Sequence, residues 1–120
     1  MSLLAIDHVQ LAVPPEELER ARDFYTIVLG LTEVARPGSL AARPGAWLER
    51  GAVRVHLGVE SDCRPARKAH PAFVVEELAE LLERCRAADC EIAEAEEIPG
   101  WKRAHVFDPC GNRLELMEAE

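Results

Sequence analysis

The chain is short of several things, and each shortage closes off a class of function. Only 5% of its 120 residues are aromatic, so the core has to be built from Leu, Val, Ile and Ala, and stacking surfaces for planar ligands are scarce. Basic residues are the minority, 14 Lys and Arg against 22 Asp and Glu, which leaves a net charge of -8. That balance repels a phosphate backbone, and no Lys/Arg stripe with interleaved aromatics offsets it, so no nucleic-acid partner is expected. No apolar run approaches the roughly 20 residues that span a bilayer. Nor does a basic segment followed by an apolar stretch open the chain. A membrane partner is therefore not expected, and a cytoplasmic location is the default. The cysteines (Cys63, Cys85, Cys90 and Cys110) show no C-x-x-C spacing, which weakens zinc-finger and thioredoxin-like readings. Cys85 and Cys90 fall on one expected helix, too far round it to pair, so reduced thiols are the simpler expectation.

What is present reads as one domain. The hydrophobic fraction is 48% and the charged fraction 30%, ordinary for a globular protein and enough for one core. Residues 6–13 alternate like a half-buried strand, with His8, Gln10 and Ala12 on one face and Val9, Leu11 and Val13 on the other. Pro14, Pro15, Glu16 and Glu17 supply a helix start, apolar residues from Leu18 to Leu29 recur at helical spacing, and Gly30 is a natural stop. Residues 36–44 read as loop. Residues 46–48 and 53–59 read as a hairpin turning at 49–52. After a polar linker at 61–69 the order repeats: a strand at 70–75, an amphipathic helix at about 76–88, then strands at 91–95, 103–107 and 113–118, with turns at Pro99-Gly100 and 108–112. Each half reads as strand, helix and roughly three strands. The expected fold is α+β: two βαβββ units, 1–60 and 70–120, their sheets curled around a shared cavity.

In each of these strands one face is aliphatic. The other faces carry His8, Gln10, Arg54, His56, His70, His105, Arg113 and Glu115. The positions correspond between halves: His8 and His70 open the first strand of each unit, while His56 and Glu115 sit in the last. Imidazoles and a carboxylate suit a divalent ion such as Fe, Zn, Mn, Ni or Co, and two His plus one carboxylate leave positions open for substrate. An isolated strand His is usually structural; three His and one Glu at matching positions are a different case. Arg54 and Arg113, on the polar faces, can grip an anionic substrate or snorkel to the rim. Gln10 and His105 are expected to line the pocket, and His105 reads equally well as a satisfied strand histidine. Asp108, Gly111 and Asn112 serve the turn.

Ile6-Asp7-His8-Val9 with Arg22-Asp23-Phe24-Tyr25 and Leu29-Gly30-Leu31, together with Asp108-Pro109-Cys110-Gly111-Asn112-Arg113-Leu114-Glu115-Leu116, resembles the opening and closing motifs of the vicinal-oxygen-chelate superfamily (glyoxalase, bleomycin resistance, extradiol dioxygenase). The likeness extends over essentially the whole chain, and nearest to short bacterial glyoxalase-like proteins. It implies that His8, His70 and Glu115 are metal ligands. It also places His56 where glyoxalase I carries a carboxylate or Gln ligand, a departure that sets lactoylglutathione chemistry aside. The resemblance implies a metalloenzyme acting on a small molecule bound through adjacent oxygens, with Glu115 or His56 moving a proton. It also implies a homodimer. The superfamily holds metal-free drug-binding proteins as well, and that is the alternative; a structural subunit using only its sheet edge has nothing specific in its favour.

Overall fold

The computed structural model describes residues 2–120, which divide into two compact units, the first ending at Cys63 and the second spanning Arg64–Glu120. In the first, β1 (Val9–Val13) is followed by a 3-10 turn (Pro15–Glu17), α1 (Leu18–Asp23) and a π-helical turn (Phe24–Val28). Then come β2 (Thr32–Val34), a 3-10 turn (Gly38–Ala42), β3 (Gly45–Arg50) and β4 (Val53–Val59). The sheet order is β1-β4-β3-β2, with β1 parallel to β4 and the remaining pairs antiparallel. In the second unit β5 (Ala72–Val74) precedes α2 (Leu78–Ala87), β6 (Ile92–Glu94), β7 (Trp101–Phe107) and β8 (Arg113–Ala119). The order β5-β8-β7-β6 repeats the first, again with the outer pair β5 and β8 parallel. Each unit is thus a βαβββ module with one four-stranded sheet, as the duplicated pattern predicts.

Local chemistry explains where the elements begin and end. Pro15 opens the first helical segment, where its missing N–H costs nothing. The π turn brings Phe24, Tyr25 and Val28 to the buried side, and the chain leaves it at Gly30, whose φ of 81° is cheap only for glycine. Helix α2 starts without a Ser, Thr, Asp or Asn cap. The Glu118 carboxylate of β8 accepts the amide hydrogens of Glu77 (2.9 Å) and Leu78 (3.2 Å) instead. Leu78, Leu81 and Cys85 form the buried stripe of α2, which packs on β6, β7 and β8. Leu114 and Leu116 are almost fully buried on the aliphatic face of β8, and Val13, Leu48 and Val55 play that part in the first unit. No helix among the described residues is long and apolar enough to cross a membrane, and the cysteines form no disulfide.

Several expectations shift. Strand pairing begins at Val9 and at Ala72, so His8 and His70 precede their strands instead of opening them. Strand β2 was not located from the sequence: three residues, only one of them not fully exposed, give no alternation to read. The expected linker is not a free tether. The Ala66 amide donates to Asn112 Oδ1 (2.8 Å), Ala66 O accepts from the Arg113 amide (2.9 Å), and Arg67 pairs with Glu91 while lying 4.2 Å over the Phe107 ring. Arg67 therefore has a structural job, tying the linker to Glu91 and Phe107.

Candidate functional site

In the first unit the register sets Gln10 and Trp47 on either side of His56. Three rings stack as a result. His8 lies 3.9 Å from His56 at 17°, and Trp47 lies 4.2 Å from His56 on nearly parallel planes. His56 is only 6% exposed, and among the described residues its ring nitrogens have no hydrogen-bond partner. Burial and the neighbouring His8 hold its pKa below the ordinary 6.5, against the opposing pull of Asp7 and Glu49. His56 is a neutral imidazole near pH 7. His8 is hydrogen-bonded through Nδ1 to Asp7 Oδ2 at 3.0 Å, an arrangement that leaves Nε2 as the available lone pair. Arg54 is committed to Asp7, through both its backbone oxygen and Oδ1, and approaches Glu49. These residues border a cavity of about 670 Å³, which Gln10, Arg36 and Arg43 also line. Gln10 lies against Gly58, where a Cβ would come within 2.5 Å of its Nε2.

In the second unit β7 and β8 set His105 opposite Glu115, and β5 sets Ala72 beside it. Glu115 is 9% exposed. Its Oε1 lies 3.1 Å from His70 Nε2, and its Oε2 accepts from Arg103 at 2.9 Å. Burial would raise the Glu115 pKa, but the hydrogen bonds from Arg103 and His70 outweigh it, and the net direction is down. The histidine tautomers follow from their partners. His70 Nδ1 faces the Lys68 carbonyl at 2.8 Å; a carbonyl only accepts, so Nδ1 carries a proton. Nε2 must then either bear a second proton or turn a lone pair toward a carboxylate. Arg113 Nη2 lies 2.8 Å from His105 Nδ1 and 3.3 Å from Nε2; a guanidinium only donates, and the shorter contact sets the lone pair on Nδ1 and the hydrogen on Nε2. Burial and then Arg113 hold the His105 pKa down, which fits a neutral ring.

Nε2 and Oε1 of His70 and Glu115 suit one divalent ion. Two ligand atoms each about 2.1 Å from a metal, at angles between right and tetrahedral, stand about 3.0–3.4 Å apart, and these stand 3.1 Å apart. The Nε2 of His105 also lies within 4.8 Å of both. Its distance to Oε1 is 3.8 Å, however, and its hydrogen occupies the position a metal needs. In the tautomer that the shorter Arg113 contact sets, His105 is a donor.

Of the residues expected from sequence, His8, His56, Gln10 and Arg54 meet within the first unit, and His70, His105, Arg113 and Glu115 within the second. Sequence reasoning missed Trp47, Asp7 and Arg103. Arg103 was detectable, since it shares the strand face of His105 two residues away. Asp7, beside His8, and Trp47, within the strand at 46–48, carry no comparable signal.

The sequence profile of the Glyoxalase/Bleomycin resistance protein/Dioxygenase superfamily matches residues 5–116, and the chain belongs to that superfamily. A solved protein of Bacillus anthracis assigned to the glyoxalase family is 38% identical, with a TM-score of 0.92 over 100% of this chain and 98% of that one. A glyoxalase family protein from Enterococcus faecalis is 25% identical (TM-score 0.73), covering 98% of this chain and 100% of that one. The genomically encoded fosfomycin resistance protein of Listeria monocytogenes shares the fold at 16% identity, with a TM-score of 0.75 over 98% and 93% of the two chains. No curated protein matches the sequence.

Proposed function

We propose that the chain is a metal-dependent, glyoxalase-like enzyme that acts on a small substrate bound through vicinal oxygens. The observation that carries this reading is the 3.1 Å approach of His70 Nε2 to Glu115 Oε1, with Nδ1 of the same ring already committed to a carbonyl. With Nε2 deprotonated its lone pair faces the carboxylate, and a cation between or beside them takes the place of the proton. A bound divalent ion supplies Lewis acidity that stabilises an oxyanion on the substrate. His70 and Glu115 hold it, and His8, with Nε2 left available, is a further ligand of the proposal. His56, neutral and without a hydrogen-bond partner, is the base that moves a proton, with Glu115 in that part where His56 ligates the ion; the reaction is a lyase, isomerase, transferase or dioxygenase step. His105 Nε2–H, Gln10 and Arg113 orient substrate oxygens; Arg54, tied to Asp7, keeps His8 in place. The active form of the proposal is a homodimer.

Elemental mass spectrometry tests the reading. About one transition-metal equivalent per chain, lost in a His70→Ala/Glu115→Ala variant, is the expected result. Absence of metal in both, after dialysis against Fe, Mn, Ni, Co and Zn salts, overturns it. One observation favours a second reading, a metal-free binding or resistance protein: Arg103 already neutralises Glu115 at 2.9 Å, so the carboxylate is satisfied without an ion.

A further inference from the structure

We propose that the cavity of the first unit recognises a small organic oxyanion carrying a hydroxyl or carbonyl oxygen next to its charge, with Arg36 and Arg43 at the charged end and His56 at the neighbouring oxygen. The inference rests on reading this chain as a small-molecule-binding member of its superfamily, but not on the ion.

Charge is the first argument. Acidic residues outnumber basic ones 22 to 14 along the chain, yet three arginines line this one cavity. Arg54 is occupied by Asp7 and Glu49. Arg36 and Arg43 have no carboxylate within ion-pair distance among the described residues. Arg36 donates through Nη2 to the Arg43 carbonyl, so the first guanidinium fixes the backbone that carries the second. Arg36, Arg43 and Arg54 outnumber the carboxylates Asp7 and Glu49 along this lining, and a cavity of that sign attracts an anion.

The second argument is His56. Its ring is clamped on both faces by Trp47 and His8 and is 6% exposed, yet its nitrogens are unpartnered and it lines the cavity. No His56 nitrogen is a sealed, unpartnered atom, so the ring nitrogens are reached from the cavity, where a ligand oxygen bonds them in place of water. Two facing glycines, of which Gly58 lines the cavity, lie beside it. Gly45 and Gly58 are register partners. A Cβ on Gly45 would meet the Arg36 guanidinium at 3.1 Å, and one on Gly58 would meet the Gln10 amide. Because neither exists, Arg36 and Gln10 lie close along the sheet beside the Trp47–His56 pair.

Trp47 is a built-in reporter. In a Trp101→Phe background stripped of metal with EDTA and then dialysed free of it, so that no ion contributes, lactate, 1-hydroxyethylphosphonate and propane-1,2-diol are titrated against Trp47 fluorescence at low ionic strength. Saturable change with lactate, the phosphonate or both, and none with the diol, is the expected result; which anion responds separates a carboxylate from a phosphonate ligand. Arg43→Ala, which keeps the carbonyl that holds Arg36, is expected to weaken binding about tenfold or more. Equal responses to anion and diol, unsaturable responses throughout, or unchanged binding in Arg43→Ala overturns the proposal. Metal analysis of the same preparations fails or succeeds independently, so the two readings are separable.

Discussion

Replacing Arg103 with Met tests the polar cluster most sharply, because the structure fixes both the loss and its rescue. The Arg103 and Glu115 side chains are 10% and 12% exposed, and their ion pair is 2.9 Å long. Removing one member of a buried pair costs about 3–5 kcal/mol. Two features reduce that figure. Glu115 keeps His70, and Arg103 Nε–H, buried without an acceptor, no longer imposes its own penalty of about 1–3 kcal/mol. A net loss of about 2–3 kcal/mol remains. With an unfolding entropy of about 2.1 cal/mol/K per residue over 120 residues, that is a fall in Tm of about 10 °C.

The rescue comes from the ion. Met releases the Oε2 of Glu115 that Arg103 held, and an ion at a hundred times its Kd returns about 2.7 kcal/mol. Thermal unfolding followed by circular dichroism, in EDTA and then with Zn, Mn or Ni, should show the variant low without metal and near wild type with it. The Arg103→Met/Glu115→Leu double variant should melt higher than the single variant in EDTA and gain nothing from metal. A single variant within about 3 °C of wild type in EDTA would refute the buried-pair argument. A large loss that no ion restores would refute Glu115 as a ligand.

Three further outcomes follow from the same structure. The folded pKa of His56 lies below 6.5, first through burial and then through His8, so the unfolded chain takes up the proton first. Stability is therefore full above about pH 6.5 and falls as pH drops toward the folded value; urea midpoints of His56→Asn should decline less over that window than those of wild type. Burial, reinforced by Cys90, pushes the Cys85 thiol up to about 11, so iodoacetamide at about pH 8 should leave Cys85 unmodified in the native chain and label it after unfolding, as read by peptide mass spectrometry. Asn112 is 2% exposed and accepts the Ala66 amide hydrogen at 2.8 Å while bonding Asp108; Asn112→Ala should cost about 2–3 kcal/mol in urea unfolding, and a loss under about 0.5 kcal/mol would put it in the range of an ordinary surface change.

The repeat was legible because its signals are local. Alternation in 53–59 and 113–118, helical spacing in 18–29 and 78–85, and the Asp108–Asn112 turn each sit within a few residues. The paired positions of His8 with His56 and of His70 with Glu115 could be read from strand faces alone. The missing parts depend on register. Trp47 reaches His56, and Arg103 reaches Glu115, only because β3–β4 and β7–β8 pair as they do, and one residue of slip would send either side chain to the other face. Arg54 could be placed on the polar side from sequence, but its capture by Asp7 could not, since the two are separated by 47 positions. Tautomers were equally out of reach: the Lys68 carbonyl and the Arg113 guanidinium decide them, and neither partnership has a sequence signature.

Comparing the two units position by position shows how one architecture was given two chemistries. His8 and His70 each stand just before the first strand, and Arg54-Val55-His56 in β4 corresponds to Arg113-Leu114-Glu115 in β8. Across the neighbouring strand, Trp47 faces His56 where His105 faces Glu115. In the first unit these positions produce a stacked ring column whose central imidazole lacks a hydrogen-bond partner. In the second they produce a carboxylate held by an imidazole and a guanidinium. A carboxylate at position 56 would lose the stack, and an imidazole at position 115 would leave Arg103 buried without its anion, a cost of several kcal/mol. The difference is therefore enforced by the neighbours and is not interchangeable drift. Exchanging the pair, as His56→Glu with Glu115→His, should cost more stability than either change alone, with no gain from their combination.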